Sequence, residues 1–223
     1  ALLCCALLSI PFRAQAHTLA SFSGQTRLCE HPRVPVEATS LSRRPYDVLR
    51  YDLILDWRAA LSDSSQPSRE YRGVQTITLR CDTAQLWTIE LDADSTLVVD
   101  SISIHRWHAT STERPTTQRT GNRLWLQLAT PLNRDDTAAI TIAYRNRSTS
   151  ALRQDLYGGY NRYWQDESGQ ELPSPIAYTM SQPNNARRWM PCNDRPYDKA
   201  LATITILAPP GFTTLSNGTA DSV

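Results

Sequence analysis

Residues 46–57 read YDVLRYDLILDW, and Tyr51, Leu53, Leu55 and Trp57 fall on every second position. Successive side chains of an extended strand leave opposite faces, so a period of two gathers these four on one side. The same period recurs along the chain at Ile77 and Leu79, at Trp87, Ile89 and Leu91, at Leu97 and Val99, at Ile102 and Ile104, at Leu124, Leu126 and Leu128, at Ile140, Ile142 and Tyr144, and at Ile204 and Ile206. Turn-forming residues separate the runs, notably at 62–68, 120–122 and 133–136. No segment carries a sustained helical stripe, and no internal repeat is present. The pattern predicts a mostly β chain of antiparallel sheets, each packed on one face and solvated on the other.

The 223 residues are 40% hydrophobic, enough to build a core, and 23 basic residues nearly balance 22 acidic ones for a net charge of +1. That balance offers neither the basic stripe that nucleic acid requires nor a polybasic membrane anchor. Residues 1–16, ALLCCALLSIPFRAQA, form a short apolar run ending in the small-x-small pattern Ala14-Gln15-Ala16. They read as part of a secretory leader cleaved before His17, one that lacks the initiating Met and basic start of a full leader, and this predicts export to a periplasmic or extracellular location. Residues 17–45 carry Ser, Thr, Arg and Pro without apolar period and read as an extension or linker, so the folded β domain is expected over 46–223. Elsewhere no apolar stretch is long enough to span a bilayer. Of the five cysteines, Cys4 and Cys5 fall in the leader. Cys29, Cys81 and Cys192 remain, an odd number that excludes a complete disulfide framework and leaves a single pair open.

One stretch fits neither a helix nor a central strand. Residues 181–196 read SQPNNARRWMPCNDRP, and Pro183, Pro191 and Pro196 each fix φ and remove a backbone donor. Polar groups (Gln182, Asn184, Asn185, Arg187, Asn193, Asp194) sit beside apolar anchors (Trp189, Met190, Cys192), the composition of a rigid loop able to hold a ligand. This order of Ala-Arg, then Pro-Cys, then Asp-x-Pro resembles a stretch of the aminopeptidase N family of zinc metallopeptidases (gluzincins), where a Gln-x-Glu pair precedes it. Downstream, LATITIL and then PPGFTTLSNG at 209–218 look like the family's strand and its Pro-to-Ser-Asn-Gly hairpin. Upstream, YDVLRYDLILDW, YRGVQTITLR at 71–80 and LYGGY at 156–160 follow the family's order. The resemblance covers roughly 46–218 and is specific from Thr179 onward.

The resemblance implies the curved β-sandwich or saddle that opens these enzymes, with the catalytic zinc domain absent from the chain. Peptide hydrolysis of this type needs two histidines one helical turn apart, a Glu beside the first and a second Glu for the metal. The four histidines, His17, His31, His105 and His108, show no such spacing. His105 and His108 would lie on opposite faces of a strand. The chain alone is therefore expected to bind no zinc and to be inactive; zinc is expected only in the full-length protein. What the resemblance places here is the grip on the substrate's free amino group. Its register puts Gln182 at the family's Glu position and Met180 at its Gln position. Gln182 accepts a hydrogen bond more weakly than a carboxylate does, and Met180 offers an apolar wall.

Arg187 and Asp194 read as a structural pair holding the loop, Cys192 as a buried packing residue, Arg188 as solvent-facing and Trp189 as a core or interdomain anchor. Tyr157, Tyr160, Tyr163 and Trp164 form an aromatic cluster suited to a neighbouring domain or to sugar. Asn146 and Asn217 begin glycosylation-type triplets, neither of which is assigned as modified. The expectation is the substrate-anchoring N-terminal domain of an exported zinc aminopeptidase, with a peptide N-terminus and its own catalytic domain as partners. A noncatalytic docking module, a carbohydrate-binding sandwich and the family's epoxide-hydrolysing activity stay open.

Overall fold

A computed structural model describes residues 43–62, 70–147, 159–165, 168–182 and 184–220. The expected leader, Cys29, Tyr157 and most of the expected extension lie outside these residues. The elements in chain order are β1 (Tyr46–Asp56), α1 (Arg58–Ser62), β2 (Tyr71–Cys81), β3 (Gln85–Asp92), β4 (Leu97–Arg106), β5 (Thr112–Glu113), β6 (Thr116–Thr120), β7 (Arg123–Asn133), β8 (Thr137–Asn146), β9 (Gly159–Gln165), β10 (Glu171–Met180), a short 3-10 turn (Ala186–Arg188) and β11 (Leu201–Leu207). One sheet runs β11-β1-β2-β8-β4-β5, a second β3-β7-β6, and β9 pairs with β10 alone. The mostly β class predicted from the sequence is what the chain adopts. All pairings are antiparallel except β1 with β11, which run parallel.

Inward residues of the six-stranded and three-stranded sheets join in one hydrophobic cluster, with Leu53, Ile77, Leu79, Ile104, Ile140 and Ile142 from the first meeting Ile89, Leu91, Leu124 and Leu126 from the second. Full burial of each such side chain stabilises the fold by about 1.5–3 kcal/mol. The period of two slips twice, and a bulge sits at each slip. In β1, Tyr46 and Val48 face inward, then Tyr51, Leu53 and Leu55. Val48 pairs with Leu79 and Arg50 with Thr78, so Leu49 is the extra residue that shifts the phase. In β4, Leu97 and Val99 precede Ile102 and Ile104, and Asp100 is the extra residue.

Trp87 departs from the simple alternation, which puts it on the same inner face as Ile89 and Leu91. It is 47% exposed, and its neighbour Leu86 is buried instead. The pairing jumps from Leu86–Leu132 to Thr88–Gln127, so the irregularity sits on the partner strand β7, around Pro131. Gly73 of β2 lies opposite Tyr144 of β8, and a Cβ there would stand 2.3 Å from the tyrosine ring. The aromatic side chain therefore fills the space that the glycine leaves. After β11, residues 208–220 add no further strand. Gly218 takes the positive φ of 119° expected at a turn, but the hairpin expected there is not formed within the described residues.

Candidate functional site

The Pro-rich segment 181–198 is a loop fastened at many points to the sandwich. It leaves β10 after Met180, makes the 3-10 turn and then crosses the end of β3. There Asp92 and Cys192 exchange both backbone hydrogen bonds, at 2.7 and 2.9 Å, and Asp94 N donates to Arg187 O at 2.8 Å. From β2, the Tyr71 hydroxyl donates to Trp189 O and Gln75 Nε2 donates to Pro191 O. From β1, the Tyr51 hydroxyl accepts from Asn193 N at 3.0 Å. Prolines and the 3-10 turn leave these loop carbonyls and amides without ladder partners, so the fold supplies side chains in their place.

A buried ionic cluster lies beneath. Asp92 Oδ2 accepts from Asp194 N at 3.0 Å and pairs with Arg44 Nη2 at 3.0 Å, the two side chains being 1% and 4% exposed. Arg44 Nη1 also donates to Asn193 Oδ1 at 3.0 Å. By sequence Arg44 belongs to the end of the extension; in the fold it is part of the loop's support. Arg187 Nε meets Asp194 Oδ2 at 2.7 Å. Burial raises the Asp194 carboxyl above its ordinary range, with the Arg187 bond and charge opposing. For Arg187, burial works against the charge, but Asp194 outweighs it and the guanidinium is raised.

Cys192 is buried and free. Burial, then the charges of Asp194 and Asp92, push its thiol well above the usual range. A thiol held protonated is neither a nucleophile nor a metal ligand. Burial likewise pushes the Tyr51 and Tyr71 phenols well up, so both remain neutral hydrogen-bonding groups.

Against this fixed background Gln182 is exposed and Met180 is half-exposed at the last pair of β10, opposite Gly159. The Gln182 carbonyl accepts from Asn185 Nδ2, which leaves the side-chain amide as the polar group this turn presents. The loop therefore displays a neutral hydrogen-bonding amide at Gln182, two positions after the half-exposed thioether of Met180. Among the described residues no three His, Cys, Asp or Glu come together as a metal site. His105 and His108 are both exposed, and His108 lies in the turn after β4 rather than on a strand face.

The remaining residues singled out in the sequence are distributed elsewhere. Trp189 is fully buried, and Arg188, expected to face solvent, is half-buried with its Cβ 3.1 Å from where a side chain on Gly159 would begin. The aromatic cluster divides: Tyr160 packs in the core with Trp57 and Tyr71 at centroid distances of 5.4 and 4.6 Å, Tyr163 stacks on Tyr178 at 5.8 Å, and Arg162 covers Trp164. Asn146 is 2% exposed inside β8, whereas Asn217 is exposed. Sequence reasoning misses Arg44, Tyr51, Tyr71, Gln75 and Asp92 as supports of the loop. Each looks like an ordinary strand or linker residue, and no local signal marks it.

The Peptidase M1 N-terminal domain family matches residues 48–223. Membrane alanyl aminopeptidase from Heliothis virescens is 28% identical over 153 residues, which is 67% of this chain and 15% of that protein. Among solved structures, the M1 zinc metallopeptidase from Deinococcus radiodurans superposes with a TM-score of 0.53 at 25% identity, covering 74% of this chain and 33% of that one. A two-domain M1 zinc metallopeptidase bound to L-arginine gives 0.55 at 26% identity, with 77% and 34% covered. The chain thus spans about a third of these solved chains and 15% of the curated relative.

Proposed function

Because the chain belongs to the Peptidase M1 N-terminal domain family, we propose that it is the substrate-anchoring β domain of an exported zinc-dependent aminopeptidase, which releases residues from the N-terminal end of peptides. The aminopeptidase named among its relatives and the zinc metallopeptidases among its structural neighbours support that reaction class. The observation that carries the anchoring role is the exposed Gln182 on a loop whose backbone is fixed from below.

An exopeptidase counts from the end of its substrate, so it needs an acceptor for the free α-ammonium. In our reading the Gln182 side-chain oxygen is that acceptor and Met180 forms an apolar wall beside it. The loop needs no charge of its own for this, since an amide oxygen accepts from an ammonium, though less strongly than a carboxylate. Holding the amine at one place is an orientation effect: it sets the scissile bond at a fixed distance from whatever acts on it. Among the described residues no three His, Cys, Asp or Glu come together as a metal site, and we assign the zinc chemistry to a separate catalytic domain of the full-length protein. Export rests on the leader pattern of residues 1–16. No described helix is long and apolar enough to cross a membrane.

The test is made on the full-length enzyme with an aminoacyl p-nitroanilide and its N-acetylated counterpart. Gln182→Ala should raise KM for the free-amine substrate by about ten- to a hundredfold, the worth of one hydrogen bond to a charged group. Gln182→Glu should lower it, because a carboxylate adds ion-pair attraction to the ammonium's hydrogen bond. An unchanged preference for the free amine in both variants would refute the assignment.

A further inference from the structure

Gln182 is exposed, yet the backbone on both sides of it is tied down. Asn185 N donates to Ser181 O at 3.0 Å, and Asn185 Nδ2 donates to Gln182 O, closing the turn across the amide-bearing residue. Trp189 Nε1 donates to Ser181 Oγ at 3.1 Å. Trp189 is itself fully buried, and its carbonyl accepts the Tyr71 hydroxyl from β2. A continuous set of hydrogen bonds therefore runs from a core strand to the residue beside the exposed amide.

We propose that Ser181, Asn185 and Trp189 are positioning residues for the substrate's α-ammonium, acting through Gln182; the inference rests on the reading of Gln182 given above. A side chain on a loose turn must surrender backbone freedom when it captures a ligand, whereas a turn already closed by three hydrogen bonds does not. The chemistry of each position is specific. Residue 185 must donate from its side chain, which Ala cannot do. Residue 181 must offer a hydroxyl, which Thr keeps and Ala loses. Since the clamp acts on recognition of the amine end, in the ground state and the transition state alike, its loss belongs in KM rather than kcat.

The experiment uses the full-length enzyme and an aminoacyl p-nitroanilide, with kcat, KM and Tm measured for each variant. Asn185→Ala and Ser181→Ala should each raise KM about three- to tenfold, the cost of reordering a turn and its side chains on binding. Their kcat should stay within about twofold of the parent if the loss is one of uniform binding. Ser181→Thr should match the parent. The double variant Ser181→Ala with Gln182→Ala should be no worse than Gln182→Ala alone, because a residue that acts only through Gln182 has nothing left to position. That non-additivity separates positioning from a general structural role, which would add its loss to the double variant. If Gln182→Ala raises KM while the clamp variants do not, or if the effects add, this proposal falls and the Gln182 reading stands. If Gln182→Ala has no effect, both fall.

Discussion

At the scale of single residues, the carboxyls under the loop set its response to pH. Asp198 is half-buried, and its Oδ2 accepts from Asn193 Nδ2. Burial raises its pKa above the ordinary 3.8, with the Asn193 bond opposing. A carboxyl whose folded pKa exceeds its unfolded value takes up protons more readily in the fold. Stability is therefore gained as pH falls through the raised value toward 3.8, and above that window the penalty of the buried charge is fully present. Asp198→Asn removes this titration. Thermal melts of the two proteins at about pH 7 and about pH 4 should show the difference in Tm moving in favour of the parent at the acid end; movement the other way would contradict the burial argument. The raised Asp194 carboxyl works in the same direction. The Arg187–Asp194 pair and the buried Cys192 are legible in the motif. The exposure of Gln182, and the partner that holds its carbonyl, come only with coordinates.

At the scale of elements, the phase of the alternation carries more than strand positions. The inward residues of β1 change from even to odd numbers after Val48, and those of β4 from odd to even after Val99, and the bulges at Leu49 and Asp100 answer those slips. Trp87 goes the other way because the irregularity belongs to β7, and a strand's own sequence does not record its partner's extra residues. The Gly73–Tyr144 pair is another cross-strand fact. Gly73→Ala puts a methyl 2.3 Å from a fully buried ring, an overpacking expected to cost about 1–3 kcal/mol. Urea denaturation should show that loss. Combining it with Tyr144→Leu, which removes the obstructing ring, should recover part of it. A Gly73→Ala protein as stable as the parent would mean that β2 and β8 do not pair as described.

At the scale of the whole molecule, the loop is joined to the sandwich through charges that lie out of water. Arg44 reaches Asp92 and Asn193, and Asp92 reaches Asp194, partners 102 to 149 positions apart where the pairs involve the loop. Breaking such a buried pair from one side leaves the other charge stranded, at about 3–5 kcal/mol. Arg44→Met should therefore lower stability by roughly that amount in chemical denaturation, and Arg44→Met with Asp92→Asn by less, because the stranded carboxylate is gone. Equal losses in the two proteins would count against a buried ion pair as the fastening.

The local order of residues determined the β class, the alternating runs that build most strands and the place of the proline-stiffened loop, because each follows from periodicity or from backbone restrictions within a few residues. Tertiary structure alone decided that β11 lies parallel beside β1, that Trp87 turns outward, and that Arg44, Tyr51, Tyr71, Gln75 and Asp92 converge under the loop. These are contacts between segments distant in sequence. They are fixed by how the sheets close on a shared core and on the buried polar groups that must find partners there, and no local pattern encodes such a meeting.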